Sequence, residues 1–527
     1  DVNGDNGNAQ KKITAENAEI IVDENVSIPL ARYVLKSIAA PAVIRGAEDL
    51  RGKQFVLTHD SLGVAQKLAE RLQTRGAVVR IVEFSEDQPL PADLNQVDGL
   101  IHLWCLNPAN RVRDVKRFFN LVRETLIHKA RYVMVASGLG GDFGYHLPAE
   151  NEISADFGCG AGLAGMIKSL DKEWPDVRAH WVDLDMREPT DDLAAHLEDE
   201  LLAQNDRTEV GYRDGSRRYL EFLHSELAFD ASMQLDLTAD SVVLLTGGAR
   251  GITARLAVEL AKRYGCRLEL VGRTALPIET ESRQTVGISD LKKLRQVVID
   301  AEPTLKPVEV EKRCAKILAE REMRNTIAAI EAAGARVNYT PLDVRDIELF
   351  GAFIQGLYER YGRIDGVIHG AGIIEDKLIR DKSAESFQRV FDTKVRGALV
   401  LYKLIRADVK FVVFFSSVAS AFGNRGQVDY AAANDVLDKL ALALRAQMRG
   451  RVLSVNWGPW ADTGMVSAQL EREYARKGIG LIPLRNGIDA LLHELACGSR
   501  DDAQVVLMCG TPASFGAERL GAPGATE

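Results

Sequence analysis

The sequence holds no C-x-x-C pair: its six cysteines (Cys105, Cys159, Cys266, Cys314, Cys497 and Cys509) are scattered over 527 residues. That excludes a disulfide frame or a cysteine zinc site and suits reduced core thiols of a cytoplasmic protein. No two of the nine histidines lie within five residues of each other, so no closely spaced His pair offers itself to a metal. No uncharged run reaches the length of a membrane span; the longest, 503–517, contains Gly and Pro. A basic surplus is missing too. The net charge of −9 and pI near 5.7 argue against a nucleic-acid partner.

What remains is an ordinary globular composition, 46% apolar and 27% charged. The first residue is not Met, no signal-peptide pattern follows, and both ends are polar and Gly-rich. This suggests a segment of a longer polypeptide, or else a mature protein with frayed termini. The expected organisation is a linker at 1–24, a first lobe at 25–238, a second at 239–515 and a linker at 516–527.

Two passages share one design. Residues 54–84 and 241–273 each run from a short apolar stretch through a turn and an amphipathic segment to a second apolar stretch. That is β-α-β with buried parallel strands. Further strands are expected at 99–104, 132–136 and 180–184, then at 337–341, 366–369, 411–415, 452–456 and 505–508. Alternating β and α predicts an α/β fold with two Rossmann-like, doubly wound parallel sheets, the N-terminal one truncated.

The lobes differ in chemistry. A pyrophosphate needs bare backbone N–H groups at a helix N-terminus. The second lobe supplies Thr246, Gly247, Gly248, Arg250, Gly251 and Ile252 between strand and helix. The first has Asp60 and Leu62 there, which would repel or obstruct the ligand, so a structural lobe without cofactor is expected. Where an NAD site would place an acid after the second strand, the chain has Arg273, with Arg250 in the turn. Two guanidiniums suit a 2′-phosphate, which points to NADPH; the alternative for Arg273 is a solvated strand end. Asp343 and Val344 close one later strand and could meet the adenine. Gly370, Ala371 and Gly372 close the next, where small residues let adenosine lie close to the backbone.

Four residues form a catalytic set. Ser417 closes an apolar strand, Tyr430 follows by thirteen, Asn434 lies one helical turn beyond, and Lys394 sits in a preceding helical stretch. A carbonyl taking a hydride needs a proton, which a phenol can give when an ammonium tunes it. Ser417 would hold the developing charge and Asn434 would order a returning water.

TGGARGIT, HGAG, FFSSVASAFG, DYAAAN and VNWGPW resemble the ketoreductase domains of type I polyketide and fatty acid synthases, within the short-chain dehydrogenase/reductase superfamily. Asn434 stands where stand-alone members carry the lysine, which is the synthase arrangement. Residues 162–185 and 210–223 are similar to that family's non-catalytic structural subdomain. The resemblance implies NADPH-dependent reduction of a β-ketoacyl thioester to a β-hydroxyacyl thioester. Its partners would be a phosphopantetheine-bearing acyl carrier protein domain and neighbouring synthase domains. A charged helical insertion at 277–324 resembles polyunsaturated fatty acid and related iterative synthases; it is either a solvated helical pair or a docking surface. Among the departures, Thr253 replaces a small residue and should set its helix slightly outward. Asp376 matches only the last position of a Leu-Asp-Asp motif, and Phe422 stands where the opposite class has Trp; together they imply a D-hydroxyl. Residues 462–480 read as a loop and helix, a substrate lid or a plain surface helix. The alternatives for the whole are a catalytically silent scaffold, or a stand-alone short-chain alcohol dehydrogenase.

Overall fold

A computed structural model describes residues 28–83, 97–107, 114–126, 130–146, 160–205, 207–228, 234–277, 280–461 and 468–516. The terminal stretches 1–27 and 517–527, Cys159 and residues 462–467 lie outside these residues. The first lobe runs β1 (Leu30–Ala39), β2 (Gln54–Thr58), α1 (Val64–Thr74), β3 (Val78–Val82), β4 (Gly99–His102), α2 (Asp114–Leu126), β5 (Tyr132–Ser137), α3 (Leu163–Glu173), β6 (Arg178–Leu184), α4 (Thr190–Leu202), β7 (Glu209–Arg213) and β8 (Ser216–His224). The second begins β9 (Val242–Thr246), α5 (Gly251–Tyr264), β10 (Arg267–Gly272), α6 (Leu291–Ala301), α7 (Pro307–Ala332), β11 (Val337–Pro341), α8 (Ile347–Tyr361) and β12 (Gly366–His369). It continues through α9 (Ala384–Leu404), β13 (Phe411–Ser417), α10 (Val418–Phe422), α11 (Val428–Arg445), β14 (Arg451–Trp457), α12 (Ala468–Arg476), α13 (Leu484–Cys497) and β15 (Gln504–Cys509).

Both doubly wound lobes are present, and the structure joins them into one fifteen-stranded sheet. Its order is β11-β10-β9-β12-β13-β14-β15-β1-β8-β7-β6-β5-β4-β2-β3. Strands within each wing are parallel, while β1 and β8 form an antiparallel seam between β15 and β7. Among the described residues the first wing has no counterpart of β11 beyond β3. In each wing the strand order reverses beside the first strand, between β9 and β12 and between β2 and β4. Such a switch point opens a crevice at the carboxyl ends of the strands.

The elements follow from the sequence pattern. All five residues of β9 are buried, as a strand covered on both faces requires. Helix α5 buries Ala254, Ala257, Leu260 and Ala261 at helical spacing and stops at Gly265, whose φ is 62°. Helix α7 is continuous from Pro307 to Ala332, so the expected insertion boundary at 324 falls inside a single helix. Strands β1, β7 and β8 were not anticipated from the hydrophobic pattern. β8 (SRRYLEFLH) mixes charged and apolar residues, and β1 completes itself only by pairing with distant β8 and β15. Among the described residues no helix is long and apolar enough to cross a membrane.

Helix α3 of the first lobe packs directly on α11 of the second. A Cβ on Gly165 would overlap the Ala431 carbonyl oxygen, and Gly162 N–H donates to Asp435 Oδ2 at 2.8 Å. Below the contact, the buried Lys168 and Glu209 pair at 3.0 Å. Beyond it, Glu173 accepts from the backbone N–H of Ile379 (2.7 Å) and of Gly426 (2.9 Å). Replacing Gly165 with Val should therefore force the two helices apart. We expect a loss of about 1–3 kcal/mol in urea denaturation, with substitution at Gly356, where a Cβ meets nothing within 4 Å, as the control; equal stability of the two variants would refute the close contact.

Candidate active site

The crevice between β9 and β12 is built on a chain of hydrogen bonds. Ala371 N–H donates to Thr246 Oγ1 (3.3 Å), which lies 2.8 Å from His369 Nδ1, and His369 Nε2 lies 2.8 Å from the Lys394 carbonyl oxygen. A carbonyl can only accept, so Nε2 carries the proton and Nδ1 accepts from the threonine. Burial lowers the His369 pKa to about 4, which keeps it neutral. The first lobe repeats the device with Thr58 and His102 at 3.3 Å.

The glycine turn has the backbone that its sequence implies. Gly247 adopts φ 74°, and a Cβ there would lie 3.2 Å from Gly370 O and 3.3 Å from Ala371 N. Gly251 opens α5 with φ 63°. At the equivalent place in the first lobe, Asp60 folds back onto the start of α1. Its carboxylate accepts from the N–H groups of Leu62 (2.8 Å), Val64 (3.1 Å) and Ala65 (2.6 Å). The anion position there is already filled by the chain itself.

A cavity of about 1500 Å³ runs along the carboxyl ends of the second-lobe strands. Gly247, Arg250, Gly251, Ile252 and Arg273 line it beside β9 and β10; Asp343, Val344, Gly370, Ala371 and Gly372 line it beside β11 and β12. Ser417, Lys394, Tyr430 and Asp376 line the same space. Thr246, Gly248, Asn434 and Phe422 do not. Thr246 and Gly248 support the floor from beneath, Gly248 being held against Leu245 and Leu270. Phe422, expected near the reaction centre, is instead buried between Phe222 (centroids 4.8 Å apart) and Phe515 (5.3 Å). It reaches the cavity only through Phe515, which is a lining residue.

Lys394 and Tyr430 converge. The ammonium nitrogen lies 5.3 Å from the centroid of the phenol ring and donates to the Phe415 carbonyl at 2.6 Å. Gly372 leaves room for it, since a Cβ there would sit 3.0 Å from Lys394 Cε. Burial lowers the Lys394 pKa to about 7. Burial raises that of Tyr430, with the Asn434 and Ser417 side chains opposing. Asn434 Nδ2 donates to the Tyr430 carbonyl at 2.8 Å, while its buried Oδ1 has no partner among the described residues. Asp429, beside the tyrosine, is ion-paired at 2.6 Å to Lys382, both fully buried. Burial raises its pKa to about 6 against the pull of that lysine.

Some features had no signal in the sequence. Glu322 of α7 accepts from Gly251 N–H at 2.8 Å and faces Arg250 at 3.5 Å, so the insertion helix sets a carboxylate at the mouth of the glycine turn. Asp343 is held by Arg345, whose guanidinium makes bonds of 2.6–3.1 Å and lowers its pKa. Arg273 forms no hydrogen bond or ion pair among the described residues. Trp457 and Trp460 line the cavity, and their buried indole N–H groups have no acceptor among the described residues. No cluster of His, Cys, Asp and Glu among the described residues would hold a metal ion.

With this geometry in place, residues 241–462 match the family model described as KR domain. The second lobe is a KR domain, set within the fold of the synthase ketoreductases. The chain is 32% identical over 344 residues to a polyunsaturated fatty acid synthase polypeptide of Thraustochytrium sp., covering 62% of this chain and 12% of that protein. It is 31% identical over 465 residues to polyketide synthase PksL of Bacillus subtilis, covering 86% of this chain and 9% of that protein. The chain thus spans about a tenth of the length of these relatives. The structure of a ketoreductase domain from the bacillaene assembly line superposes with a TM-score of 0.66 at 22% identity, covering 93% of this chain and 100% of that one.

Thr253, expected to hold its helix outward, packs its hydroxyl against Gly370, where a Cβ would overlap Oγ1. Gly370→Ala should cost about 1–3 kcal/mol, and Thr253→Ala in the same chain should recover most of it. A double-mutant cycle in urea with no coupling would show that the two residues do not share this space.

Proposed function

We propose that the chain reduces a β-ketoacyl thioester, presented on the phosphopantetheine arm of an acyl carrier protein domain, to the β-hydroxyacyl thioester with NADPH. The observation that carries the reading is the convergence of Tyr430, Lys394 and Ser417 in one cavity with the glycine turn. The residues fit the cofactor. Gly247 leaves a cradle that a side chain would fill, Arg273 and Arg250 offer guanidiniums to a 2′-phosphate, and the indole N–H groups lack acceptors among the described residues. NADPH, when bound, supplies the hydride.

The chain supplies the rest. Ser417 Oγ donates a hydrogen bond to the ketone oxygen and holds the charge that grows on it. Tyr430 gives that oxygen its phenolic proton, so the product is a neutral alcohol. The Lys394 ammonium stabilises the phenolate left behind. The free Asn434 Oδ1 can accept a hydrogen bond from the water that returns the proton. Asp376 lines the cavity while Phe422 does not, which supports the D-hydroxyl. The Thraustochytrium relative supports placing the domain in a polyunsaturated fatty acid or related iterative synthase.

Tyr430→Phe should abolish oxidation of NADPH by a β-ketoacyl pantetheine thioester while leaving NADPH binding intact; a folded Phe variant with normal turnover would end the assignment. The pH dependence follows from Lys394. Its ammonium is lost as pH rises through about 7 in the free enzyme. The phenolate is then unsupported, so kcat/KM should fall above that pH, and Lys394→Met should abolish this limb. A profile flat from pH 6 to 9 in the unsubstituted chain would count against the pairing.

Glu322 yields a separate prediction. Its carboxylate holds the N–H group beside the phosphate cradle, so it repels or competes with a bound phosphate. Glu322→Gln should tighten NADPH binding roughly threefold to tenfold, the scale of one charge at a helix N-terminus. Unchanged or weaker binding in fluorescence titration would exclude the competition.

A further inference from the structure

Four lysines are fully buried among the described residues: Lys168, Lys382, Lys394 and Lys439. Three of them face a carboxylate, Lys168 with Glu209, Lys382 with Asp429 and Lys439 with Asp435. Lys394 has no carboxylate partner among the described residues; it donates to a backbone carbonyl and serves the proposed reaction. One further lysine, largely withdrawn from solvent, behaves the same way. Lys172, at the end of α3, donates to the Phe515 carbonyl at 2.5 Å and makes no ion pair among the described residues. Burial and the nearby cations Lys477 and Lys168 lower its pKa to about 8, with Asp171 opposing.

Lys172 lines the same cavity as Tyr430, although it belongs to the other lobe. Lys477, just past α12, and Arg425, in the loop before α11, line it too. Neither forms an ion pair among the described residues. The segment is held in place, because the neighbouring Glu173 is hydrogen-bonded to Ile379 and Gly426, on the two loops beside the catalytic helix. A cation drawn into a cavity without an acid partner costs free energy unless an anion arrives. The cavity also exceeds the roughly 300–1,000 Å³ of a site for one small ligand. Arg250 and Arg273 lie beside β9 and β10, on one side of the switch point. Ser417 and Tyr430 belong to β13 and α11, on the other.

We propose that Lys172, supported by Lys477 and Arg425, binds the phosphodiester of the substrate's phosphopantetheine arm, so that the first lobe contributes a substrate-binding cation. This rests on the carrier-bound substrate proposed above. It gives the first lobe a chemical task besides its structural one. The site recognises the phosphate, not the acyl chain, so it is indifferent to chain length.

The test compares two probes, acetoacetyl-4′-phosphopantetheine and acetoacetyl-pantetheine, which differ only by the phosphate. The chain should bind and turn over the first with a KM roughly tenfold lower, about one charge-assisted hydrogen bond. Lys172→Met should remove that preference by raising KM for the phosphorylated probe, with kcat and the KM for acetoacetyl-pantetheine unchanged. Lys477→Ala should reduce it in part. Calorimetric titration with both probes reads the phosphate preference without turnover. Loss of reduction with the preference intact would overturn the proposed reaction and leave this site standing. Reduction of both probes with equal KM, or an equal effect of Lys172→Met on both, would overturn the site.

Discussion

The close approach of α3 to α11 is the contact on which the rest depends. It exists because residue 165 has no side chain, so the helix backbone can rest against the Ala431 carbonyl. Tyr430 sits on the same turn of α11. The orientation of the phenol is thus fixed from behind by a helix of the other lobe, and from below by the sheet. A second glycine repeats the device at Gly423, where a Cβ would overlap the backbone of Lys168. Around these contacts the buried charges Lys168, Glu209, Asp435 and Lys439 are close-set, which makes sliding of one lobe on the other expensive. The first lobe is in this way part of the support of the candidate site.

The lobes share a skeleton and differ in what occupies one spot. Each has a threonine at the end of the first strand of its parallel wing, β2 or β9, bonded to a histidine at the end of the strand across the switch point. Each opens a helix beside that threonine. In the first lobe Asp60 caps the helix from two to five residues away, a local closure that no diffusing anion can match in effective concentration. In the second, the carboxylate at the turn comes from Glu322, 71 residues beyond Gly251 and on a partly exposed helix. A capping group on a separate element can withdraw without unfolding the turn; one on the turn itself cannot.

Much of the fold was legible because its core strands are short apolar runs buried on both faces, and its helices keep a 3.6-residue rhythm between glycine stops. The ranges 337–341 and 366–369 match β11 and β12 as read. The seam was not legible. β8 mixes charged and apolar residues without a regular period, and β1 gains its partners from the far end of the chain, a relation that local pattern does not carry. The site divides the same way. Ser417, Tyr430 and Lys394 could be read because their spacing along strand and helix sets their direction. Lys172 and Glu322 could not, since each reaches the cavity across a tertiary contact. Phe422 shows the converse: its position along the chain is close to Tyr430, yet aromatic stacking on Phe222 and Phe515 turns it into the core.

The antiparallel seam also decides how the body responds to tension. Leu30, the first residue of β1, is paired with Cys509, the last of β15. The polypeptide therefore enters and leaves the sheet at the same end of two neighbouring strands. A pull on both ends loads that ladder in the manner of a zipper, one hydrogen bond at a time, and not in shear across the whole row. The two strands can peel while the parallel wings on either side keep their own ladders, so mechanical yielding begins at the centre of the sheet and not at its rims.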